Sequence, residues 1–425
     1  MIAFWSAALG LSLLLYVLLD GFDLGIGILF LFAPSERHRR HMMDAVAPVW
    51  DGNETWLIIS GATLFGAFPA AYAVLLGAFY LPVIVMLCGL ILRGVAFEFR
   101  ARTRRLRWLW TAGFGVGSVV AAFAQGAAIG AFVQELPVRD GVFAGTAFSW
   151  LSWYAVLCGA GLVLGYALLG ACWLVHKTET EVRDFGYAAM PPILAGLAAF
   201  LALAAVGLFA FHMRVAGAWF ARPYLLVPLA IGSLAGALLV YGAWKRVDRL
   251  PLPMAMAMFV AAFCTMVGSL LPFIVPFSMT IVEAAAPPAS LAFLFWGAGL
   301  VILPVTLAYT GAVYWVFRGK VQPLGEYEDD DADDGGPEQR RRDLADLRAQ
   351  AERARSDLAA TLAALRENLR PAHALGEAGR AGLSAAADLA RRGADHARTP
   401  EGAAALGLGA LALLRAALTP RAPRR

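Results

Sequence analysis

The chain has 425 residues, of which 60% are hydrophobic and only 16% are charged, and its formal net charge is +4. Soluble globular domains are about half apolar and a quarter charged, so this composition excludes an ordinary soluble protein and predicts an integral membrane protein. Uncharged runs of about 20 residues recur along the chain, and a helix of this length spans a bilayer. The alternation of apolar and polar residues that is typical of β-barrel strands is not evident. The small net charge says little about partners, and we expect no nucleic acid among them.

The apolar runs predict nine membrane-spanning helices within residues 1–320. Their expected bounds are 3–32, 51–75, 76–98, 112–134, 148–175, 190–212, 223–244, 254–275 and 290–318. Fifteen Lys and Arg residues fall in loops on one side of these spans, and three fall on the other. Because basic loops stay in the cytoplasm, we expect the N-terminus outside and the C-terminus cytoplasmic. The predicted fold class is an all-α integral membrane protein, a nine-helix transmembrane bundle with a C-terminal helical extension.

Three further segments follow the last predicted span. Residues 321–337 are rich in Asp and Glu, which predicts a solvated acidic linker. In residues 338–400, leucine and alanine recur at helical spacing, which predicts an amphipathic helical tail. Residues 401–425 form a short apolar segment with a basic end, and this length leaves open whether the segment is interfacial or a short span.

Six ionisable residues lie within the first three predicted spans or at their ends: Asp20, Asp23, Asp51, Glu54, Arg93 and Glu98. The expected topology brings them to the cytoplasmic third of the bundle. The acids of the first span are three residues apart, as are those of the second, so each pair shares one helix face. Arg93 is their natural counter-ion because it is the basic residue well inside a span. Ionisable groups inside a bilayer are costly, so such a cluster indicates a functional site.

Each of these residues also has a simpler interpretation. Asp51 and Glu54 could favour the positive N-terminal end of their helix, and Arg93 could extend its side chain to the interface. Charge at one depth on three helices is harder to explain in this way, and buried carboxyl groups suit proton uptake from the cytoplasm. A proton-coupled secondary transporter that uses the same acids is the rival hypothesis, although transporters usually place such sites near the midplane in two related halves.

Ligands for a metal or a redox cofactor are not evident in the predicted spans. The six histidines lie at span ends, in loops or in the tail, at positions 38, 41, 176, 212, 373 and 396. Haem in a helical bundle normally needs an axial His or Met that faces the core. The four cysteines are spread over apolar spans without a close pair. We therefore expect this chain to bind no metal and no redox cofactor of its own.

Seven sequence segments together resemble subunit II of the cytochrome bd-type quinol oxidases. They are DGFDLG at 20–25, PVWDGNETW at 48–56, AFP at 67–69, GAFY at 77–80, LRGVAFEFR at 92–100, LPFIVP at 271–276 and YTGAVYW at 309–315. The segment at 48–56 is the specific one, and the resemblance covers about residues 1–320. The segment TIVEAAAPP at 280–288 is most similar to the cyanide-insensitive branch of the family.

The resemblance implies a respiratory-chain enzyme of the bacterial inner membrane, which oxidises quinol and reduces oxygen to water. It implies a heterodimer in membrane lipid, in which the partner, subunit I, carries haem b and either a second haem b or haem d. Whether a small single-span subunit also binds stays open. Because the protons for water come from the cytoplasm, turnover is expected to be electrogenic.

The resemblance also implies roles for individual residues. Asp51 matches an aspartate in the family's proton path, and Asp23 matches a second acid near the same route. The expected proton-path residues are therefore Asp51, Asp23, Glu54 and Asp20. Trp56 matches a tryptophan near an oxygen-access tunnel, and two positions, Arg93 and Glu98, match residues that form charge pairs.

Overall fold

The structure is a computed structural model that describes residues 1–103, 105–210, 214–321 and 352. Apart from Val321 and Glu352, the predicted acidic linker, helical tail and basic-ended segment lie outside the described residues. The described part of the chain contains thirteen α-helices, one 3-10 turn, one π turn and two short hairpins. The expected mostly helical membrane fold is confirmed.

The helices of the first half are α1 Ile2–Phe30, α2 Glu36–Asp44, α3 Trp50–Ala67, α4 Pro69–Arg102, α5 Arg107–Val133 and α6 Trp153–Lys177. Those of the second half are α7 Thr180–Ala210, α8 Arg214–Ala221, α9 Leu226–Lys245, α10 Pro251–Leu270, α11 Ile281–Ala284, α12 Pro288–Leu294 and α13 Ile302–Val316. A 3-10 turn, Pro223–Leu225, precedes α9, and a π turn, Phe295–Gly299, joins α12 to α13. The antiparallel hairpins pair β1 Val138–Arg139 with β2 Val142–Phe143, and β3 Phe273–Val275 with β4 Met279–Thr280.

Eight helical segments of the described chain are long and apolar enough to cross a membrane. They are α1, α4, α5, α6, α7, α9 with its preceding turn, α10, and the continuous segment Pro288–Val316. The 18-residue helix α3 is not among them, because Asp51, Asn53 and Glu54 make its first turns polar. The count of nine spans and the sidedness of the termini therefore stay predictions.

Several predicted span boundaries differ from the observed helix ends, and two of these differences have a local cause in a proline. The break between the second and third spans was expected at residues 75 and 76, but α3 ends at Ala67 and α4 begins at Pro69. Proline suits the first helical position because it lacks the N–H that would be unsatisfied there. The eighth span was expected to reach residue 275, but α10 ends at Leu270, because the residue before Pro272 is driven out of the helical region. The chain then enters the β3–β4 hairpin.

One end of the bundle is rich in arginine and lysine, and we call it the arginine-rich end. Helices α1, α4, α6 and α13 end here, and α3 and α5 begin here. Contacts between residues that are far apart in the sequence connect these helix ends. Arg100 at the end of α4 pairs with Glu36 in α2. The indole N–H of Trp173 in α6 donates to the Ala45 carbonyl at 3.0 Å, and Lys320 after α13 is 3.0 Å from Asp248.

Helix α1 lies at the centre of this half of the bundle. All of residues 20–30 are buried, and α1 packs on α3, α5 and α6. The approach to α6 is close because Gly25 and Gly170 face each other: a Cβ on Gly25 would lie 2.8 Å from the Gly170 nitrogen and would overlap the Tyr166 carbonyl oxygen. Small residues allow such backbone contact between membrane helices. The acids of α1 are therefore held among three other helices.

We expect the substitution Gly25→Ala to destabilise the protein, because α1 and α6 must separate to admit one methyl group. Overpacking of this kind costs about 1–3 kcal/mol. The matched control is Gly10→Ala in the same helix, where an added Cβ meets nothing within 4 Å. Thermal denaturation in detergent, followed by size-exclusion chromatography, measures both. Equal melting temperatures for the two variants would contradict the close approach.

Candidate functional site: a buried cluster of acids around Arg93

The site is organised by the guanidinium of Arg93 in α4, which is 1% exposed. Its Nη1 donates a hydrogen bond of 2.9 Å to Oδ1 of Asp20 in α1, which is itself fully buried. Its Nη2 lies 3.6 Å from Oε1 of Glu54 in α3, and the Glu54 side chain is 27% exposed. One arginine therefore holds acids from two other helices and fixes the relative positions of α1, α3 and α4.

A second set of contacts extends the cluster toward the last helix. The side-chain amide of Asn53 in α3 donates to Oδ2 of Asp23 at 2.7 Å and to the Leu19 carbonyl at 3.2 Å. The hydroxyl of Tyr314 in α13 donates to Oδ1 of Asn53 at 2.9 Å. Asp23 is thus held by neutral groups, whereas Asp20 is held by a cation.

The charges in the cluster do not balance. Among the described residues, the three carboxyl groups of Asp20, Asp23 and Glu54 face the one guanidinium of Arg93. Each carboxyl group has one buried oxygen without a hydrogen-bond partner in the described chain, namely Oδ2 of Asp20, Oδ1 of Asp23 and Oε1 of Glu54. Full ionisation would leave two uncompensated negative charges in a buried site, which is costly. The arrangement therefore disfavours full ionisation of the three carboxyl groups at the same time.

Aromatic packing closes the cluster on the side of α6. The ring of Phe22, which lies between the two acids of α1, stacks on Trp173 with centroids 3.9 Å apart and an interplanar angle of 8°. Phe22 is 0% exposed. Asp23 lies seven residues before the end of α1 at the arginine-rich end, a rise of about 10 Å along the helix. The acids are therefore buried yet close to one end of the bundle.

The structure brings four of the six predicted charged residues together and leaves two apart. Asp51, in the first turn of α3, is exposed on the surface of this chain. Glu98 is also exposed, and its Oε2 lies 3.7 Å from Nη2 of Arg102 one turn further along α4, so it does not join Arg93. Trp56 is 0% exposed, and its indole N–H has no partner within the described residues.

Sequence reasoning singled out none of the polar residues that complete this region: Asn53, Tyr314, Tyr16, Gln125 and Tyr166. Asn53 lies inside the specific segment at 48–56, and Gln125 is an isolated amide in a run of glycine and alanine. An isolated amide of this kind is a usable signal, because polar side chains in membrane helices usually face a partner. Tyr314 lies inside the segment YTGAVYW at 309–315, but a tyrosine gives no signal like that of an isolated amide, since an aromatic residue in an apolar helix most often serves packing.

None of the described histidines lies in the middle of a membrane-spanning helix, where an axial haem ligand would be expected. The described histidines, His38, His41 and His176, all belong to the arginine-rich end, in α2 or in the last turn of α6. Within the described ranges, no group of three or more His, Cys, Asp or Glu side chains is placed to hold a metal ion. That this chain binds no cofactor stays a prediction.

The fold and the site define a multi-pass helical membrane protein with a buried cluster of acids and one arginine near one end. Residues 1–317 match the family model described as cytochrome bd terminal oxidase subunit II, which is most of the chain. The protein belongs to this family, and the resemblance inferred from the sequence segments is confirmed. It is therefore a subunit of a membrane terminal oxidase, and family membership implies a complex with subunit I.

Known relatives agree with this assignment. The chain is 28% identical over 365 residues to the cytochrome bd-I ubiquinol oxidase subunit 2 of Escherichia coli, an alignment that covers 75% of this chain and 94% of the relative. It is 28% identical over 211 residues to the cytochrome bd ubiquinol oxidase subunit 2 of Bacillus subtilis, covering 47% and 62%. A chain of the bd oxidase from Geobacillus thermodenitrificans has the same fold, with a TM-score of 0.60, 10% identity and coverage of 74% and 98%.

The substitution Arg93→Gln should destabilise the chain strongly, because it leaves the Asp20 carboxylate buried without its cation. Breaking a buried ion pair by removing one partner costs about 3–5 kcal/mol. Arg102→Gln is the matched control in the same helix, since the Arg102 side chain is 78% exposed and its pair with Glu98 should contribute less than about 1 kcal/mol. Thermal unfolding of both variants tests this, and an Arg93→Gln protein as stable as the control would refute it.

Proposed function

We propose that this chain is the cofactor-free subunit II of a quinol:oxygen oxidoreductase and that it delivers protons to an oxygen-reducing haem site in subunit I. The observation that carries the proposal is the buried Arg93 guanidinium surrounded by three carboxyl groups. Oxygen reduction to water consumes protons, and a surplus of buried acids over cations at one end of a bundle is suited to supplying them. The arginine-rich end is then the cytoplasmic side.

The proposed route begins at Asp51, which is exposed on the surface of this chain. Glu54 lies one helical turn further into α3, between Asp51 and the Arg93 guanidinium. From there protons reach the acids of α1, where Asp23 keeps one carboxyl oxygen free to accept a proton. Arg93 lowers the electrostatic cost of the moments when these acids are ionised.

The apolar outer face of α3 supports pairing with subunit I. Ile58 is 71% exposed and Phe65 is 62% exposed, and both follow Asp51 along the same helix. A partner that covers this face would bury Asp51 at the interface and continue the route in the partner. In the same proposal, the buried Trp56 lines oxygen access, and the complex belongs to the cyanide-insensitive branch and resides in the bacterial inner membrane.

A proton-coupled secondary transporter is the second candidate, and the distribution of buried charge argues against it. Within the described residues, the buried Asp, Lys and Arg side chains are Asp20, Asp23, Arg93, Arg100 and Lys177, and no Glu side chain is fully buried. All five lie in the half of the bundle nearer the arginine-rich end. Transporters with repeated halves usually carry such groups in corresponding positions near the midplane.

The variants Asp51→Asn and Glu54→Gln should each slow quinol-dependent oxygen consumption of the purified complex by at least about tenfold, because an amide cannot exchange a proton at these positions. Assembly should be retained, since neither acid is fully buried. Asp184→Asn is a control that removes an acid at the same end of the bundle, where Asp184 pairs with Arg246 at 3.0 Å. Turnover at the wild-type rate in both test variants would exclude the proposed route.

Purified alone, the chain should show no haem absorption, since its described histidines lie in α2 or in the last turn of α6 and not in the middle of a membrane-spanning helix. Affinity purification from native membrane should recover a haem-bearing partner and quinol-dependent oxygen consumption. A reduced-minus-oxidised spectrum of both preparations shows whether haem is bound by this chain alone or only when the partner is present. Stoichiometric haem on the isolated chain would show that it is not cofactor-free.

A further inference from the structure

A cavity of about 500 Å³ lies at the arginine-rich end, between α2, the end of α4 and the start of α5. None of the acids around Arg93 lines it. Among the described residues, four arginines and three acids do, which leaves an excess of one positive charge. The volume is within the range of about 300–1,000 Å³ that small-molecule sites occupy. The cavity is therefore large enough for a ligand and has a net positive lining.

One wall of the cavity is fixed by Arg100, which is 3% exposed and pairs with Glu36 of α2. Its Nε donates to Oγ1 of Thr111 at 3.0 Å, and its guanidinium carbon lies 4.9 Å from the centroid of the Phe30 ring. Arg100 and Glu36 thus compensate each other's charge and hold this wall in place. The excess positive charge belongs to the other arginines.

Two of these arginines have only loose partners within the described chain. The Nη2 of Arg102 lies 3.7 Å from Oε2 of Glu98, and the Nη1 of Arg107 lies 4.0 Å from Oε1 of Glu36. Both separations are longer than a hydrogen bond. The N–H groups of Arg102 and Arg107 can therefore donate to a ligand without giving up a hydrogen bond to an acid.

Helix α2 supplies the fourth arginine of the lining, Arg40, and Asp44 one turn further along. Arginines from α2, α4 and α5 thus face one cavity. Without an anion, their like charges repel one another, and the two acids Asp44 and Glu98 compensate only two of the three that remain beside the Arg100–Glu36 pair. An anionic group with one negative charge would balance the lining.

The depth of the cavity is that of phospholipid headgroups. The membrane-crossing stretch of α4 ends at Arg100, and that of α5 begins at Arg107. Phe99 is 52% exposed and Trp108 is 69% exposed, so apolar surface lies beside the arginines at both helix ends. Tryptophan is enriched at the level where headgroups meet acyl chains. Charged lining and exposed aromatic side chains together match the two parts of a lipid molecule.

We propose that this cavity binds the phosphodiester headgroup of an anionic phospholipid, with Arg40, Arg102 and Arg107 as donors to the phosphate oxygens. The planar guanidinium group matches phosphate oxygens with paired N–H groups, and basic cavities between helices at the cytoplasmic side are typical headgroup sites. A zwitterionic headgroup brings no net charge and leaves the excess uncompensated. None of these residues belongs to the proposed proton route, so the lipid site is independent of it.

Native mass spectrometry of the purified, delipidated complex, titrated with dioleoylphosphatidylglycerol at one ionic strength, measures this binding. Arg40→Gln and Arg107→Gln should each weaken it about fivefold, because each removes one positive charge beside the phosphate. Glu98→Gln should strengthen it about threefold, since it removes a negative charge from the lining and releases Arg102. Arg246→Gln is the matched control: it removes a positive charge at the same end but outside the cavity, where Arg246 pairs with Asp184 at 3.0 Å.

Three results would overturn the lipid site. They are equal affinity in the wild type and both arginine variants, weaker binding in Glu98→Gln, and equal affinity for zwitterionic dioleoylphosphatidylethanolamine. Displacement of the lipid by a large excess of inorganic phosphate would show that free phosphate is the ligand, and this too would contradict the proposal. If Arg107→Gln does not assemble, Arg40→Gln and Glu98→Gln carry the test, because both change exposed side chains.

Discussion

The rest of the structure depends on the burial of one guanidinium. Arg93 is 1% exposed, and it is held by acids on α1 and α3 rather than by any residue of its own helix. A buried ion that loses its partner is strongly destabilising, so the three helices must keep their relative positions for the chain to fold. The same requirement keeps several carboxyl groups at one depth in the membrane. The contacts that hold the three helices together therefore also hold the acids of the site in place.

The cluster contains more carboxyl groups than basic groups, and this excess suits the proposed transfer of protons. A cluster with one acid for its one arginine would be a neutral structural pair with little reason to exchange protons. In the proposed proton path, the three carboxyl groups near Arg93, each with an oxygen that lacks a hydrogen-bond partner in the described chain, can instead hold protons in more than one distribution. Close packing holds these groups in place: Gly25 and Gly170 let α1 approach α6, and the Phe22–Trp173 stack closes the cluster beside the acids.

Hydrogen bonds within the arginine-rich end fix the last helix onto this arrangement. Lys177 at the end of α6 donates to the carbonyls of Phe317 and Gly319 just after α13, and the backbone N–H of Val321 returns a bond of 2.8 Å to the Lys177 carbonyl. Tyr314, one turn earlier, is thereby placed against Asn53, which in turn holds Asp23. A residue near the end of the described chain therefore supports an acid near its beginning.

The sequence by itself determined the class of the fold, the family and the helices that carry the charge, because hydropathy and short motifs are local properties of the chain. It also predicted Arg93 as counter-ion, since an arginine inside an apolar span has few other uses. Tertiary structure decided which acids meet it. Asp20 and Glu54 do, whereas Glu98 pairs with Arg102 and Asp51 is exposed. Asp51 and Glu54 differ although they are three residues apart, because side chains at this spacing on a helix still point about 60° apart. The partners Asn53, Tyr314 and Gln125 depend on contacts between residues far apart in the chain, which no local pattern encodes.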